Sequence, residues 1–510
     1  MNQWEKFSEK IPSMIPVLLL FLIVYMPHQY YGLPFHTDSW ISLDLAKHII
    51  DKQEISFSSP FGGETVIYPR GSHTLIALLS IVSGLSLVDI SIYLPSFLYA
   101  ALGLAFYALA KIIFEEKEAA LFTLALSPLA ISNYTMLGPA YLVPLAVGSI
   151  LVINYFYFLV SSKYRQRIFL LPALALFSTV ALTHINTTLF AIVSSMLFLF
   201  FSLLWERKFL ADVVIILFLI LAIVGSAGIF IEIFGFEKVQ ELFWQYLVLE
   251  KEKPYQDYIA LEGFIPAFLI TVSLYYILLR FEKKALSFLV PIFVFLVLES
   301  IAYWFASGFF IRYRRIIYFL VLLTPLLAGF GAYNLVNSIM KLRFLRERYI
   351  LRRVFAGFSF IFLISLAVWT NLDTNSEITM YLNQHEHEVF TVLGRISPDS
   401  MVFGHHLTSY SFPYYELQPL QLSPRHLGPK LRYESGLYRV YPNGDLSQFS
   451  KFFNWLDGNY GKGLFEWLDF QKKSDYYLYL PLSRNNKKFD RVLDSGQTVV
   501  LRWNHNVNSG

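Results

Sequence analysis

"GFFIRYRRIIYFLVLLTPLLAGFGAYNLVNSIMKLRFLRERYILRR", Gly308–Arg353, decides the fold. Three arginines, Arg312, Arg314 and Arg315, precede the apolar run Ile316–Val336, and a strongly basic stretch, Lys341–Arg353, follows it. A run of about 20 apolar residues matches the ~30 Å hydrocarbon core of a bilayer. Both ends are cationic, so the neighbouring segments must decide which end faces the cytoplasm.

Outward from this stretch the same pattern repeats. Of 510 residues, 55% are hydrophobic and 15% charged, against roughly 25% charged in soluble domains. The deficit runs along most of the chain, which predicts a polytopic α-helical membrane protein. Apolar runs from Ile11–Pro27 to Val354–Trp369 give about eleven spans, Ala119–Ser132 and Phe209–Phe230 among them. Thr74–Val88 is short and interrupted by Ser83, Gly84 and Ser86. If it does not cross, Lys111, Lys117, Lys163, Arg165, Arg167, Arg207, Arg280, Lys284 and Lys341–Arg353 all fall on one side with Lys6 and Lys10. The positive-inside rule makes that side cytoplasmic. Thr74–Val88 is therefore expected to be a re-entrant or interfacial helix, and the first run an uncleaved span without a signal-peptide cleavage pattern.

This topology places the loop 28–90, the arginines at 312–315 and the polar region 371–510 outside the cytoplasm. The expected division is a transmembrane domain 1–370 with a large outer loop 28–90, and an extracytoplasmic soluble α/β domain 371–510. In the latter, "SMVFG", "DYYLYLPL" and "QTVVLRW" read as strands, and "SEITMYLNQHEHEVFTVLGRI" and "DLSQFSKFFNWLDGNYGKGLFEWLDFQKK" as helical. With no cysteine, thiol catalysis and cysteine-ligated metal sites are excluded. The partner that composition implies is the bilayer, and no nucleic-acid partner is expected.

The chemistry-bearing residues lie on the outer side. "HTDSWISLDLAKHII" opens an amphipathic helix with Asp38 at its start, where a carboxylate serves as an N-cap, a general base or a ligand to a cation. "YPRGSHTL" makes a turn in which Arg70 and His73 are interfacial anchors or face an anion. Three arginines against the positive-inside trend point to phosphate, since a guanidinium pairs with phosphate in a bidentate fork. Glu299, inside the preceding run, is a functional candidate or a structural partner of one of them. His385–His387 reads as a surface pair, and the sequon-like "NYT" at Asn133 and "NTT" at Asn186 fall at span ends and are set aside.

In this order, "HTDSW", "YPRGSHTL", "LAKIIFEEKEAALFTLALSP" (Leu109–Pro128), "RYRRIIYFLVLLTPLLAGFGA" and "ISPDSMVFGHHLTSYSFPYYELQPLQL" resemble the GT-C superfamily of integral-membrane glycosyltransferases. The resemblance is to archaeal members related to oligosaccharyltransferase. It implies a sugar donor on a polyprenyl (dolichyl-type) phosphate, a glycan, glycolipid or glycoprotein acceptor, and inverting displacement at the anomeric carbon. It further implies Asp38 as the catalytic carboxylate and Arg312, Arg314, Arg315 and Arg70 on the donor phosphate. His36, Tyr68, His73 and Glu299 become groove candidates, and His405 and His406 acceptor-side candidates. A divalent cation, Mg or Mn, is an option, with Asp38 its ligand. Two departures bear on this. The place of the family's second acidic motif reads "TMLGPAYL", Thr135–Leu142, without a carboxylate, which favours metal-independent chemistry. The place of a "WWDYG" signature reads "FGHHLTSY", which favours single-sugar addition over transfer of a whole glycan to asparagine. The rival readings are an oligosaccharyltransferase with a degenerate motif, a lipid or solute transporter, and an inactive scaffold.

Overall fold

The computed structural model describes residues 11–34, 37–52, 70–130, 141–206, 237, 264–304, 313–342, 354–366, 387, 391 and 395, and strands within 401–503. They divide into two units: Met1–Tyr31 with Ile67–Ile378, and Gly32–Val66 with Thr379–Gly510.

The first unit is helical and identifies the chain as a polytopic α-helical membrane protein. In it lie α1 (Ile11–Tyr31), α3 (Gly71–Ser83), α4 (Leu87–Phe114), α5 (Lys117–Ala125), α6 (Pro144–Tyr164), α7 (Leu170–Thr183) and α8 (Ile185–Glu206). After them come α9 (Phe264–Arg280), α10 (Lys283–Ser287), α11 (Leu289–Trp304), α12 (Tyr313–Met340) and α13 (Val354–Leu366). Among the described residues, five helical segments are long and apolar enough to cross a bilayer: Leu87–Phe114, Pro144–Tyr164, Ile185–Leu204, Lys283–Tyr303 and Arg315–Met340.

The stretch that opened the sequence reading is the axis of this unit. In α12, 94% of the apolar window is buried, against 44% in α8. Lipid tails are as apolar as leucine, so helices in a bilayer associate by close packing and hydrogen bonds between helices. The α12 surface shows both. Gly329 lies against the Thr123 backbone of α5, and Gly331 against the Leu269 carbonyl of α9. Phe330 stacks on Phe114 at 4.0 Å, and Phe319 on Phe190 at 4.1 Å. Tyr318 Oη meets Ser149 Oγ at 2.5 Å, and Ser338 Oγ meets Tyr276 Oη at 2.6 Å. Large apolar side chains left exposed, such as Leu18, Phe97, Phe200 and Leu298, supply the lipid-facing surface.

Two expectations are tested here. Thr74–Val88 is not one helix: α3 has 13 residues, about 20 Å of rise, and stops at Gly84 in the left-handed region (φ +70°). Ser86 then starts α4 with a reciprocal Ser86–Asp89 capping box. The expected span Ala119–Ser132 is corrected within its described residues. There α5 has 9 residues and gives way to a 3-10 turn, Ser127–Ala130, at Pro128. Nine residues rise only ~14 Å, so that helix alone is too short to span. Phe209–Phe230 lies outside the described residues.

Among its described residues the second unit holds α2 (Thr37–Lys52) and five strands: β1 (Met401–Phe403), β2 (Gln418–Pro419), β3 (Tyr476–Leu480), β4 (Phe489–Asp494) and β5 (Val499–Trp503). Their order is β2-β1-β3-β5-β4, with β1 parallel to β2 and β3, and β5 antiparallel to β3 and β4. The register between β4 and β5 shifts between Arg491 and Leu493. The strands expected at "SMVFG", "DYYLYLPL" and "QTVVLRW" are β1, β3 and β5. His387, Thr391 and Arg395 are helical, as expected for 376–396. The helical reading of 445–473 falls outside the described residues.

Candidate functional site

Two of the expected arginines border one corner of the helical unit, the junction of α7 and α8: Arg70 through its neighbour Gly71, and Arg315 through its charge on His184. Gly71, the first residue of α3, is seated on the end of α7. A Cβ there would lie 2.7 Å from the Leu182 carbonyl oxygen and 3.1 Å from Thr183 Oγ1. This seat holds Arg70, which is buried and whose carbonyl accepts from Thr74 N–H at 2.9 Å. His73, buried one turn into α3, is close enough to Arg70 to feel its charge.

The corner itself turns on a single residue. His184 closes α7 through its N–H on the Val180 carbonyl, 3.0 Å, and opens α8 through its own carbonyl, which accepts from Thr188 N–H at 3.1 Å. Its Nδ1 accepts from Thr187 N–H at 3.2 Å, and Thr187 Oγ1 lies 2.8 Å away. The absent side chain at Gly148 admits this turn: a Cβ there would sit 3.0 Å from Thr187 Oγ1 and 3.4 Å from His184 Cβ. The next residue, Ser149, donates to the Leu145 carbonyl at 2.7 Å, so Tyr318 Oη–H donates to Ser149. Tyr318 is one turn along α12 from Arg315, whose charge reaches His184. Burial first and that charge second push the His184 imidazole down to about 3, so it is neutral at ordinary pH.

Glu299 is buried on α11, one turn before Tyr303, whose ring lies 5.7 Å from Tyr313 in the first turn of α12. Arg314 is placed in that same turn by its backbone. Arg312, His36, Tyr68, His405 and His406 lie outside the described residues.

In the second unit, Asp38 stands within the first turn of α2, after Thr37, and is half-buried. It is a first-turn acid rather than the cap, well placed for the positive end of the helix dipole. Its carbonyl accepts from Ser42 Oγ at 2.8 Å. Ser39, Trp40, Leu43 and Asp44 form the buried side of the helix. The Trp40 ring lies 6.3 Å from that of His387, which is half-buried and not the surface residue expected. Asp38 and Asp44 are six residues apart, ~9 Å along the axis and ~240° around it. They do not share a face and so do not fit a two-carboxylate ion site. Among the described residues, no group of three or more histidine or acidic side chains is gathered.

The sequence reading missed His184, Thr187 and Asp44, and set Asn186 aside as sequon-like. Its available signals were a polar "HINTT" between two apolar runs, and a second acid on the Trp40 side of α2.

No known family model matches the sequence, and no curated protein is detectably similar to it. Solved structures do match in fold. The apo oligosaccharyltransferase of Archaeoglobus fulgidus superposes with a TM-score of 0.62 at 13% identity, over 94% of this chain and 70% of that one. AglB from the same organism, in complex with an inhibitory peptide and a dolichol-phosphate, gives 0.58 at 13% identity, over 82% and 65%. ArnT from Cupriavidus metallidurans bound to undecaprenyl phosphate gives 0.56 at 13% identity, over 96% and 97%. The resemblance to GT-C enzymes drawn from sequence motifs is thus a resemblance of fold.

Proposed function

We propose that the protein is a membrane glycosyltransferase that moves a sugar from a polyprenyl-phosphate donor to an extracytoplasmic acceptor, a lipid-linked or protein-linked glycan. The observation that carries this is the end-to-end likeness, 96% of one chain and 97% of the other, to ArnT bound to undecaprenyl phosphate. The corner at His184, bordered by Arg70 and Arg315, supports it, being rich in hydrogen-bond donors suited to phosphate.

In the reaction, the Asp38 carboxylate takes the proton of the acceptor hydroxyl. The freed oxygen attacks the anomeric carbon from the face opposite the phosphate. The bond from that carbon to the phosphate oxygen breaks, the configuration inverts, and polyprenyl phosphate leaves. Arg315 and Arg70, with Arg312 and Arg314, stabilise the charge that grows on the departing phosphate. The half-buried position of Asp38 suits a base that must meet an acceptor from water. The polar region 371–510 is assigned the role of offering the acceptor, with His405 and His406 as its candidate contacts.

The test incubates purified protein with labelled polyprenyl-phosphate sugars and three acceptors: a lipid-linked glycan, a glycopeptide and a sequon peptide. Transfer to either of the first two by wild type, lost in Asp38→Asn, supports the proposal. Transfer of an oligosaccharide to the sequon peptide identifies an oligosaccharyltransferase instead. Equal transfer by both forms removes Asp38 from the chemistry, and no transfer from any lipid-linked donor overturns the reading.

A further inference from the structure

We propose that His184 is a phosphate-binding residue, its Nε2–H held as a fixed neutral donor beside Arg315 for a phosphoryl oxygen; this rests on the donor reading above. The tautomer follows from geometry. Nδ1 accepts the Thr187 backbone N–H at 3.2 Å, so it carries no proton of its own, and the ring proton sits on Nε2. Capping the junction of α7 and α8 occupies Nδ1 and the backbone of His184 and leaves Nε2–H unused by the cap. A cap needs only a short side-chain oxygen, which serine, threonine, aspartate or asparagine supplies. Imidazole is therefore more than this junction requires.

The surroundings select the ligand. The neighbouring charge is the Arg315 guanidinium, itself a donor only. Tyr318 donates to Ser149 and Ser149 to the Leu145 carbonyl, so both hydroxyl protons are already engaged. Arg70 is brought to the same corner by the close seat of Gly71 on Leu182. Donors at the start of α3, at the α7–α8 junction and in the first turn of α12 suit an anion with several acceptor oxygens. A neutral donor adds a bond without adding a third like charge to a site that holds two guanidinium groups. It also lets the phosphate leave once the reaction is over, where another arginine would hold it more tightly. The shared chemistry is a phosphoryl oxyanion, whether on a polyprenyl chain or free.

The experiment measures binding of polyprenyl phosphate and, separately, of inorganic phosphate to the full-length protein in detergent, without any sugar transfer. His184→Asn keeps a cap on α8 but has no atom at the Nε2 position. It is expected to melt as wild type does and to bind polyprenyl phosphate about tenfold to a hundredfold more weakly, as loss of a hydrogen bond to a charged group requires. His184→Gln and His184→Met form a second pair of equal length, with and without a donor. Gln is expected to bind at least about tenfold more tightly than Met. Wild-type affinity in His184→Asn, or equal affinity in the Gln and Met forms, overturns the assignment and leaves the donor reading standing. Dependence on His184 for inorganic phosphate alone supports the site and counts against the polyprenyl donor. If wild type binds neither ligand, the site and the donor reading fall together.

Discussion

Gly329→Ala tests whether α12 is the axis of the helical unit. An added Cβ would lie 2.5 Å from Thr123 Cα and 2.6 Å from Thr123 N, both backbone atoms of α5. Carbon atoms in van der Waals contact stand about 3.5–4.0 Å apart, so α5 and α12 must part by about 1 Å. A flexible side chain could swing aside, but backbone cannot. Nor can α12 retreat, because Gly331, two residues on and rotated by ~200°, faces α9. A Cβ at 331 would stand 2.9 Å from the Leu269 carbonyl carbon and 3.2 Å from Ser273 N. Motion away from α5 therefore presses α12 into α9. Overpacking costs about 1–3 kcal/mol, and a helix blocked on both sides belongs at the upper end. Separation also loosens the Phe330–Phe114 stack, worth about 0.5–1.5 kcal/mol. The assay is thermal melting of purified protein in detergent. Gly357→Ala is the control, since nothing lies within 4 Å of its added Cβ and its φ is not positive. It should be neutral or stabilising by up to about 1 kcal/mol. If Gly329→Ala melts with wild type, the close seam between α5 and α12 is refuted.

Other substitutions address the site and the opposite end of the bundle. Asp38→Asn should lower the transfer rate by about 10²–10⁴-fold with an unchanged melting temperature, the scale of lost general-base catalysis; steady-state kinetics on the labelled donor decide it. Arg315→Lys keeps a charge but loses the guanidinium fork, so donor affinity should fall and not be restored by the lysine; titration with polyprenyl phosphate checks this. Because folded His184 is held to about 3, below the ~6.5 of an unfolded histidine, the unfolded chain binds more protons between those values. Its contribution to stability is present above pH 6.5 and lost as pH falls, by about 2 kcal/mol at pH 5. Melting curves of wild type should therefore drop more steeply from pH 7 to 5 than those of His184→Asn. Lys284 bonds the Ile112 carbonyl at 3.3 Å, pairs with Glu115 and lies 5.1 Å from the Tyr164 ring centroid. Glu115 is mostly exposed, so the ion pair counts for little. Lys284→Met should cost about 1 kcal/mol by melting, mainly through the cation–π contact and the bond to the end of α4.

Hydropathy and charge made much of the fold legible. Arg315–Met340 was readable from one stretch because a helix central to a membrane bundle is apolar over its whole circumference. The start of α2 was readable because Leu43, Leu45, Ala46 and Ile49 repeat at helical spacing beside polar neighbours. Ala119–Ser132 misled for a physical reason. A hydropathy window counts apolar residues and does not sense where the chain turns. Pro128 and the bond from Tyr99 Oη to the Ser127 carbonyl, 2.9 Å, hold a tight turn after nine helical residues.

The arginines announced themselves because a charge against the topological trend is costly, but the corner that receives them did not. His184, Asn186 and Thr187 are each ordinary at a helix junction, and nothing in their order tells a cap from a ligand. What distinguishes them is tertiary: Gly71 closes on Leu182, and Gly148 makes room for His184. Gly71 read in the sequence only as part of a turn, and Gly148 carried no signal there. Their role is to remove a side chain so that another element can approach. The same logic explains why Arg70 and Arg315, 245 positions apart in the chain, belong to one corner. Each is delivered by a helix whose packing is set by glycine, Gly71 for one and Gly329 with Gly331 for the other. A substitution at these glycines should therefore weaken phosphate binding without touching a donor. Gly71→Ala is the sharpest case, because its Cβ would meet the Leu182 carbonyl oxygen at 2.7 Å and push α3 off its seat. Polyprenyl-phosphate affinity should fall while the Asp38 chemistry, read as the rate at saturating donor, is retained. A fall in that rate with unchanged affinity would contradict the placement of Arg70 at this corner.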